Sequence, residues 1–209
     1  MRDNFQHESI LSEFREQNTV KDLYLPVLLG TNREGRKSEA VAKWLVTEIE
    51  KREDIETELF DVRNFALPPD DYGTQIKDSF PEWRDAITRA DGLVIVVPEY
   101  NHAYPGVLKS VLDLLLKEYI HKSVALVSTS AAPWGGVRVI EAMVPMVREL
   151  GLAVTFADLN FPAVQDKFDA EGKLRDAAYE RRVKDFLDEL VWMSRTLKWG
   201  RENLPSKHH

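Results

Sequence analysis

The chain has 209 residues, of which 44% are hydrophobic and 30% charged, enough apolar material for the core of one α/β domain. Its formal charge of −7 argues against nucleic acid as a partner. The lack of any cysteine excludes a disulfide framework, thiol catalysis, and thiolate metal or iron–sulfur sites.

Residues 1–22 carry mixed charges and no apolar h-region, so they do not read as a secretory signal. No run of the sequence approaches the ~18 apolar residues of a membrane span, and a cytoplasmic setting without membrane attachment is expected. A small apolar set, Ile10, Leu11 and Phe14, sits at helical spacing in this N-terminal extension. It fits a short helix docked on the domain or on a partner subunit, and equally a frayed end. Residues 23–200 are expected to form the domain and 201–209 a C-terminal tail.

Residues 23–29 are a mostly apolar run ending at Gly30, which reads as a buried parallel strand weakened at Pro26. A polar loop, residues 30–38, leads to the helical stripe Val41, Trp44, Leu45 and Ile49. Residues 55–60 alternate Ile-Glu-Thr-Glu-Leu-Phe, the pattern of a less buried strand near a sheet edge. A loop follows over 61–78, and Pro81 opens a helix through Ala90. Residues 93–97 are the most continuous apolar β-branched run, hence a central strand. After the turn at 98–106, a helix is predicted over 107–117 with Val107, Val111, Leu112, Leu114 and Leu115 inward. A strand follows at 122–127, then a loop at 128–136. A helix with Val139, Ile140, Met143 and Val147 inward comes next, and Gly151 is its predicted cap. A last strand is predicted at 152–156 and a long helix at 174–197. Five β-then-α units imply a parallel sheet between two helical layers. The expected fold is the flavodoxin-like three-layer sandwich with a five-stranded sheet of order 2-1-3-4-5.

In such a sheet, ligands bind beyond the carboxyl ends of the strands at the switch point between the first and third. The loops there are 30–38 and 98–106, with 128–136 beside them. The first offers Thr31, Arg33, Arg36 and Ser38 ahead of a helix N-terminus, a set suited to a monoester phosphate. It is neither a Walker A loop nor Gly-x-Gly-x-x-Gly, and alone it also fits a solvated connection. The second carries Pro98, Glu99, Tyr100 and Asn101, which also suit a plain turn. Apart from His102, which reads as a surface loop histidine, no carboxylate or histidine is spaced to make an acid–base pair with Glu99. The third has Ser128, Ser130 and the pair Gly135-Gly136, which would let backbone approach a ligand closely. It has no Gly-x-Ser-x-Gly elbow. No His/Asp/Glu cluster has metal-ligand spacing, so no metal is expected.

Taken together, Gly30-Thr31-Asn32-Arg33…Ser38, Pro98-Glu99-Tyr100-Asn101…Pro105-Gly106-Val107-Leu108-Lys109 and Gly135-Gly136-Val137-Arg138 resemble the NADPH-dependent FMN reductase family over residues 25–160. These are flavodoxin-like flavoproteins that include quinone, azo-dye and chromate reductases. The resemblance implies non-covalent FMN, with its phosphate held by Thr31, Arg33 and Ser38 and Arg36 as an added partner. It implies that Pro98, Glu99, Tyr100 and Asn101 line the isoalloxazine, largely through backbone groups. Ser128, Gly135 and Gly136 would flank its other edge. Tyr104, Trp134 and the partner subunit's Tyr72 or the partner subunit's Trp83 would wall the open face. Thr31 stands where the family often has serine. Glu39 and Ala40 follow Ser38 where the family often has asparagine, and Glu39 is left out of the site. The implied activity passes hydride from NADPH or NADH through FMN to quinones or similar small acceptors, by ping-pong kinetics, with no catalytic side chain. A homodimer or homotetramer is implied, with 107–116 and 68–72 as interface segments. An electron-carrier flavoprotein and a non-catalytic FMN-binding protein are the alternatives.

Overall fold

Pro26 splits the first strand, and the split is copied by its neighbour. The computed structural model describes residues 21–67, 69 and 75–208. Ile10, Leu11, Phe14, Tyr72 and most of the 68–72 segment lie outside the described residues. Strands β1 (Leu23–Tyr24) and β2 (Val27–Leu29) flank the proline. Strands β3 (Ile55–Glu56) and β4 (Leu59–Asp61) lie parallel beside them. Proline removes a donor from the ladder, yet the two halves stay in line. The amides of Leu25 and Val27 donate to Glu56 and Glu58, and the Thr57 hydroxyl donates to the Leu25 carbonyl at 2.8 Å.

Strands β5 (Gly92–Pro98) and β6 (Ser123–Thr129) form the fully buried centre of the sheet. Beyond β6 lie β7 (Ala153–Val154) and β8 (Leu159–Phe161), both parallel to it. Counting split strands as one, the order is 2-1-3-4-5, as the alternation predicts. The last strand departs from expectation. The predicted run at 152–156 stops at Val154, the chain steps outward with Phe156 exposed, and the ladder resumes at Leu159. Leu159 and Phe161, assigned to no strand by the sequence pattern, are fully buried.

Alternation along the central strands divides the core in two. Leu93, Ile95, Val97, Val124 and Leu126 face one side. There they meet α2 (Pro81–Arg89), α3 (Gly106–Leu112) and α4 (Val137–Glu149). Val94, Val96, Ala125 and Val127 face the other. They are covered by α1 (Ser38–Glu50) and α5 (Ala178–Asn203). Two helices differ from their predicted spans. α3 ends at Leu112 rather than 117: the chain turns at residues 113–114, and Leu114, Leu115 and Tyr119 stay buried beyond the turn. α5 begins at Ala178, four residues late, and runs to Asn203. Gly151 closes α4 as predicted. At φ +87° its amide reaches the Arg148 carbonyl, and that of Leu152 reaches Val147, the paired bonds of a Schellman cap. Among the described residues no helix is long and apolar enough to cross a membrane.

Sheet and helix meet most closely at Gly92. A Cβ there would stand 2.2 Å from Ser123 Oγ and 2.8 Å from Ser194 Oγ, and those two hydroxyls hydrogen-bond each other at 2.6 Å. Gly92→Ala should therefore overpack the junction of β5, β6 and α5 and lower stability by about 1–3 kcal/mol. A fall in the urea midpoint at constant slope is the expected reading.

Candidate active site

The carboxyl ends of β2, β5 and β6 open into a cleft of about 530 Å³. Arg33, Lys37, Ser38, the segment 98–102, the segment 129–132 and Arg138 line it. The first loop leaves β2 pressed against its neighbours. The Gly30 amide donates to Val96, and a Cβ on Gly30 would lie 2.9 Å from Leu108. Buried Thr31 then ties the loop to the next one. Its hydroxyl accepts the Arg33 amide at 3.3 Å and shares a hydrogen bond with the Tyr100 hydroxyl at 3.2 Å. The Arg33 guanidinium lies over the Tyr100 ring, 3.5 Å from its centroid, a cation–π contact that leaves the positive charge at the cleft mouth.

Arg36 behaves differently from the sequence reading. All five of its N–H donors are taken inside the protein, by Asp61, Glu39 and the Thr31 carbonyl. Its side chain is only 2% exposed. Arg36, which also lines the cleft, thus braces the loop from beneath, with its N–H donors engaged by the protein. Arg63 braces the same loop from outside, donating to the Asn32 and Arg33 carbonyls. Burial disfavours the Asp61 carboxylate, but Arg36 and the Arg63 amide outweigh it and hold Asp61 below its ordinary range. Glu39 is neutralised by Arg36 and by Lys43 at 2.8 Å, so it does not charge the cleft.

What stays unsatisfied is Ser38. Its hydroxyl is buried with no hydrogen-bond partner, at the first position of α1. No side chain caps that helix, so the amides of its first turn lack a side-chain acceptor. Gly35, at φ +66°, has open space around it. An orphaned hydroxyl, uncapped amides and the nearby Arg33 charge fit a group with several anionic oxygens.

The second loop is a two-residue hairpin. Tyr100 and Ala103 exchange both backbone hydrogen bonds, and Asn101 and His102 have φ of +52° and +65°. That is a type I′ turn, which asks both central residues for the left-handed region. Holding two non-glycine residues there stores strain beside the cleft. Glu99 places Oε1 3.4 Å from Arg138, while Oε2 is buried without a partner.

In the third loop, Ser128, Gly135 and Gly136 make close contacts within the protein. The Ser128 hydroxyl donates to the Gly135 carbonyl at 2.7 Å and accepts Asn160 Nδ2 at 2.8 Å, so it is committed to the loop's own shape. Gly135 and Gly136, both at positive φ, are required by close packing. Added Cβ atoms would meet Pro162 and Asn160 at 3.1–3.2 Å and Ser128 at 2.9 Å. All three sit behind the cleft wall, and residues 129–132 with Arg138 form its surface. Arg138 went unassigned in the sequence, although it stands two positions after the glycine pair. Two of the proposed wall aromatics differ as well. Trp83 is 1% exposed, edge-on to Phe60 and Phe65 in the core, and cannot serve a partner. Tyr104 is partly buried against the same core, whereas Trp134 is exposed.

A parallel 2-1-3-4-5 sheet with an anion-ready helix N-terminus at its switch point defines a phosphate-binding α/β protein of the flavodoxin-like class. Residues 25–166 match the NADPH-dependent FMN reductase family. The chain belongs to that family of oxidoreductases, whose cofactor is FMN. It is 29% identical over 180 residues to the FMN-dependent NADPH-azoreductase of Staphylococcus haemolyticus (strain JCSC1435), across 79% of this chain and 92% of the relative. Its likeness to the FMN-dependent NADPH-azoreductase of Staphylococcus aureus (strain USA300) is 30% over 182 residues, again 79% and 92%. Among solved structures it resembles the flavoenzyme NAD(P)H:(acceptor) oxidoreductase FerB of Paracoccus denitrificans. The TM-score is 0.69 at 20% identity, covering 83% of this chain and 98% of that one. The apo form of NADH:FMN oxidoreductase (EMOB) gives 0.65 at 19%, covering 90% and 94%. At these identities the structural likeness is one of fold.

Two substitutions separate brace from contact. Asp61→Asn should raise the FMN dissociation constant about ten- to a hundredfold, since it leaves a buried guanidinium short of its charge partner. Because the folded carboxyl lies below its unfolded value, its contribution to stability is complete above about pH 4 and fades as pH falls further. The variant should lack that acid limb when unfolding is followed by fluorescence. Ser38→Ala should leave apo-protein stability within about 0.5 kcal/mol of wild type and weaken FMN binding. Unchanged affinity would remove Ser38 from the site.

Proposed function

We propose that this protein is an FMN-dependent NAD(P)H oxidoreductase whose acceptors are quinones, azo compounds or similar small conjugated molecules, turned over by a ping-pong cycle. The observation that carries the reading is the orphaned Ser38 hydroxyl at the uncapped start of α1, facing the same cleft as the strained 98–102 turn. FMN, when bound, supplies hydride acceptance and donation at its N5 position. The chain's own part is to bind and orient it. Ser38 and the first-turn amides of α1 would hold the phosphate, and Arg33, stacked on Tyr100, would neutralise its charge. The backbone of 98–101, fixed by the hairpin bonds, would set the ring plane. Arg138, held by Glu99, brings a positive charge to the cleft, suited to a reduced ring that carries negative charge.

None of these groups needs to give or take a proton in the hydride step. Glu99 is ion-paired, and His102 sits exposed on the turn. An open cleft would admit reductant and acceptor one after the other, which supports the ping-pong reading.

The protein as purified should be yellow and should bleach anaerobically with NADPH or NADH. Steady-state oxidation of the nucleotide with menadione and with an azo dye should give parallel double-reciprocal lines. Flavin that is reduced but never reoxidised by these acceptors would point instead to an electron carrier. A colourless protein that takes up no FMN would end the proposal.

A further inference from the structure

Helix α5 builds core with one face and exposes tryptophan on the other. Val183, Phe186, Leu187, Leu190 and Val191 are buried, while Trp192 and Trp199 are 60% and 58% exposed. They are seven residues apart, so they share one stripe and stand about 10 Å apart along the axis. Thr196 lies exposed between them. The outer face of a surface helix normally carries polar side chains, and two exposed indoles two turns apart on it give a covering segment apolar surface to pack on.

The described chain begins beside this stripe. The Asp22 carboxylate accepts hydrogen bonds from Arg195 at 3.2 and 3.3 Å, and its carbonyl accepts from the Lys198 ammonium. Arg195 and Lys198 lie between the two tryptophans along the helix. Residues 1–20 therefore join the described chain beside the stripe, and they contain the apolar set Ile10, Leu11 and Phe14 at helical spacing. Phe14 stands eight positions before Asp22, a reach of up to about 27 Å, well beyond the length of the stripe. A segment tethered this closely meets the patch at an effective concentration on the order of millimolar. A second copy or a separate partner would have to outcompete it.

We propose that the N-terminal segment carrying Ile10, Leu11 and Phe14 packs in cis across the Trp192–Trp199 face of α5. The attachment at Asp22 sets where it lands, and the two indoles supply the apolar surface that its own apolar residues need. The cleft lies beyond the carboxyl ends of the strands, whereas Arg195 and Lys198 pair with Asp22 and Asp91 at their amino ends, so holoenzyme flavin content serves as a folding control.

The absence of native cysteine makes the test clean. In the full-length holoenzyme carrying Ser12→Cys and Thr196→Cys, a short bis-maleimide should give a cross-link within one chain, seen as a bridged peptide at monomer mass. Cross-links between chains would assign the face to a second copy and overturn the proposal. Two thiols that each label but never bridge would overturn it too. In a second measurement, removing residues 1–20 should red-shift the tryptophan emission and increase its quenching by acrylamide. That change should vanish in a Trp192→Phe/Trp199→Phe background. An emission spectrum unmoved by the deletion would contradict the packing.

Discussion

A single buried guanidinium organises the cofactor end of the molecule. Arg36 joins three pieces of chain that are distant in sequence or in conformation: the Thr31 carbonyl, the start of α1 through Glu39, and the end of β4 through Asp61. A buried ion pair is weak evidence for stability in itself, because desolvation offsets the attraction. Its value here is geometric. With every donor occupied, Arg36 fixes the path of the loop between Thr31 and Ser38, and the amides at the head of α1 are left pointing at the cleft. Arg33, three residues earlier, instead keeps its charge at the mouth beside Lys37 and Arg138, so the bracing charge and the charge at the opening belong to different arginines.

The second loop is positioned by the same logic at one remove. Tyr100 receives both the Thr31 hydroxyl and the Arg33 guanidinium, so the hairpin at 100–103 is registered against the phosphate-facing loop. The strained φ values at Asn101 and His102 persist because contacts on both sides over-determine them. The third loop is tied to the sheet through Ser128 and Asn160, and to the second loop through the Glu99 amide, which donates to the Thr129 carbonyl at 2.9 Å. The cleft walls are therefore joined in series, with the second loop bonded to both of the others.

Much of this was legible in the sequence. The apolar runs at 93–97 and 122–127 gave the central strands, and the alternation of units gave strand order and hence the switch point. The three unusual loops do meet there. What stayed hidden was the direction of side chains within those loops. Arg36 reads as a phosphate ligand because it neighbours Ser38 in sequence, but its partner Asp61 is 25 residues away. Ser128 reads as a ligand contact because it ends a strand, but Asn160 reaches it from another strand, 32 residues on. The glycine pair is explained by the bulk of Pro162 and Asn160 behind it, which no local pattern reveals. Outside the site, the outward step at 155–158 moved the last strand, since an apolar Phe156 in a short run is indistinguishable from a core residue by periodicity alone.

That outward step has a counterpart at the opposite margin of the sheet. β3 and β4 make one border and β7 and β8 the other, and each is broken into pieces of two and three residues. The seven-residue ladders of β5 and β6 are enclosed between them. An unbroken border strand presents a row of unpaired amides and carbonyls on which another chain can add. Among the described residues, the β7–β8 border is interrupted by the step at 155–158 and offers no such row long enough to template a partner. On that side, a sheet whose centre is this apolar is kept from growing into its neighbours at high concentration.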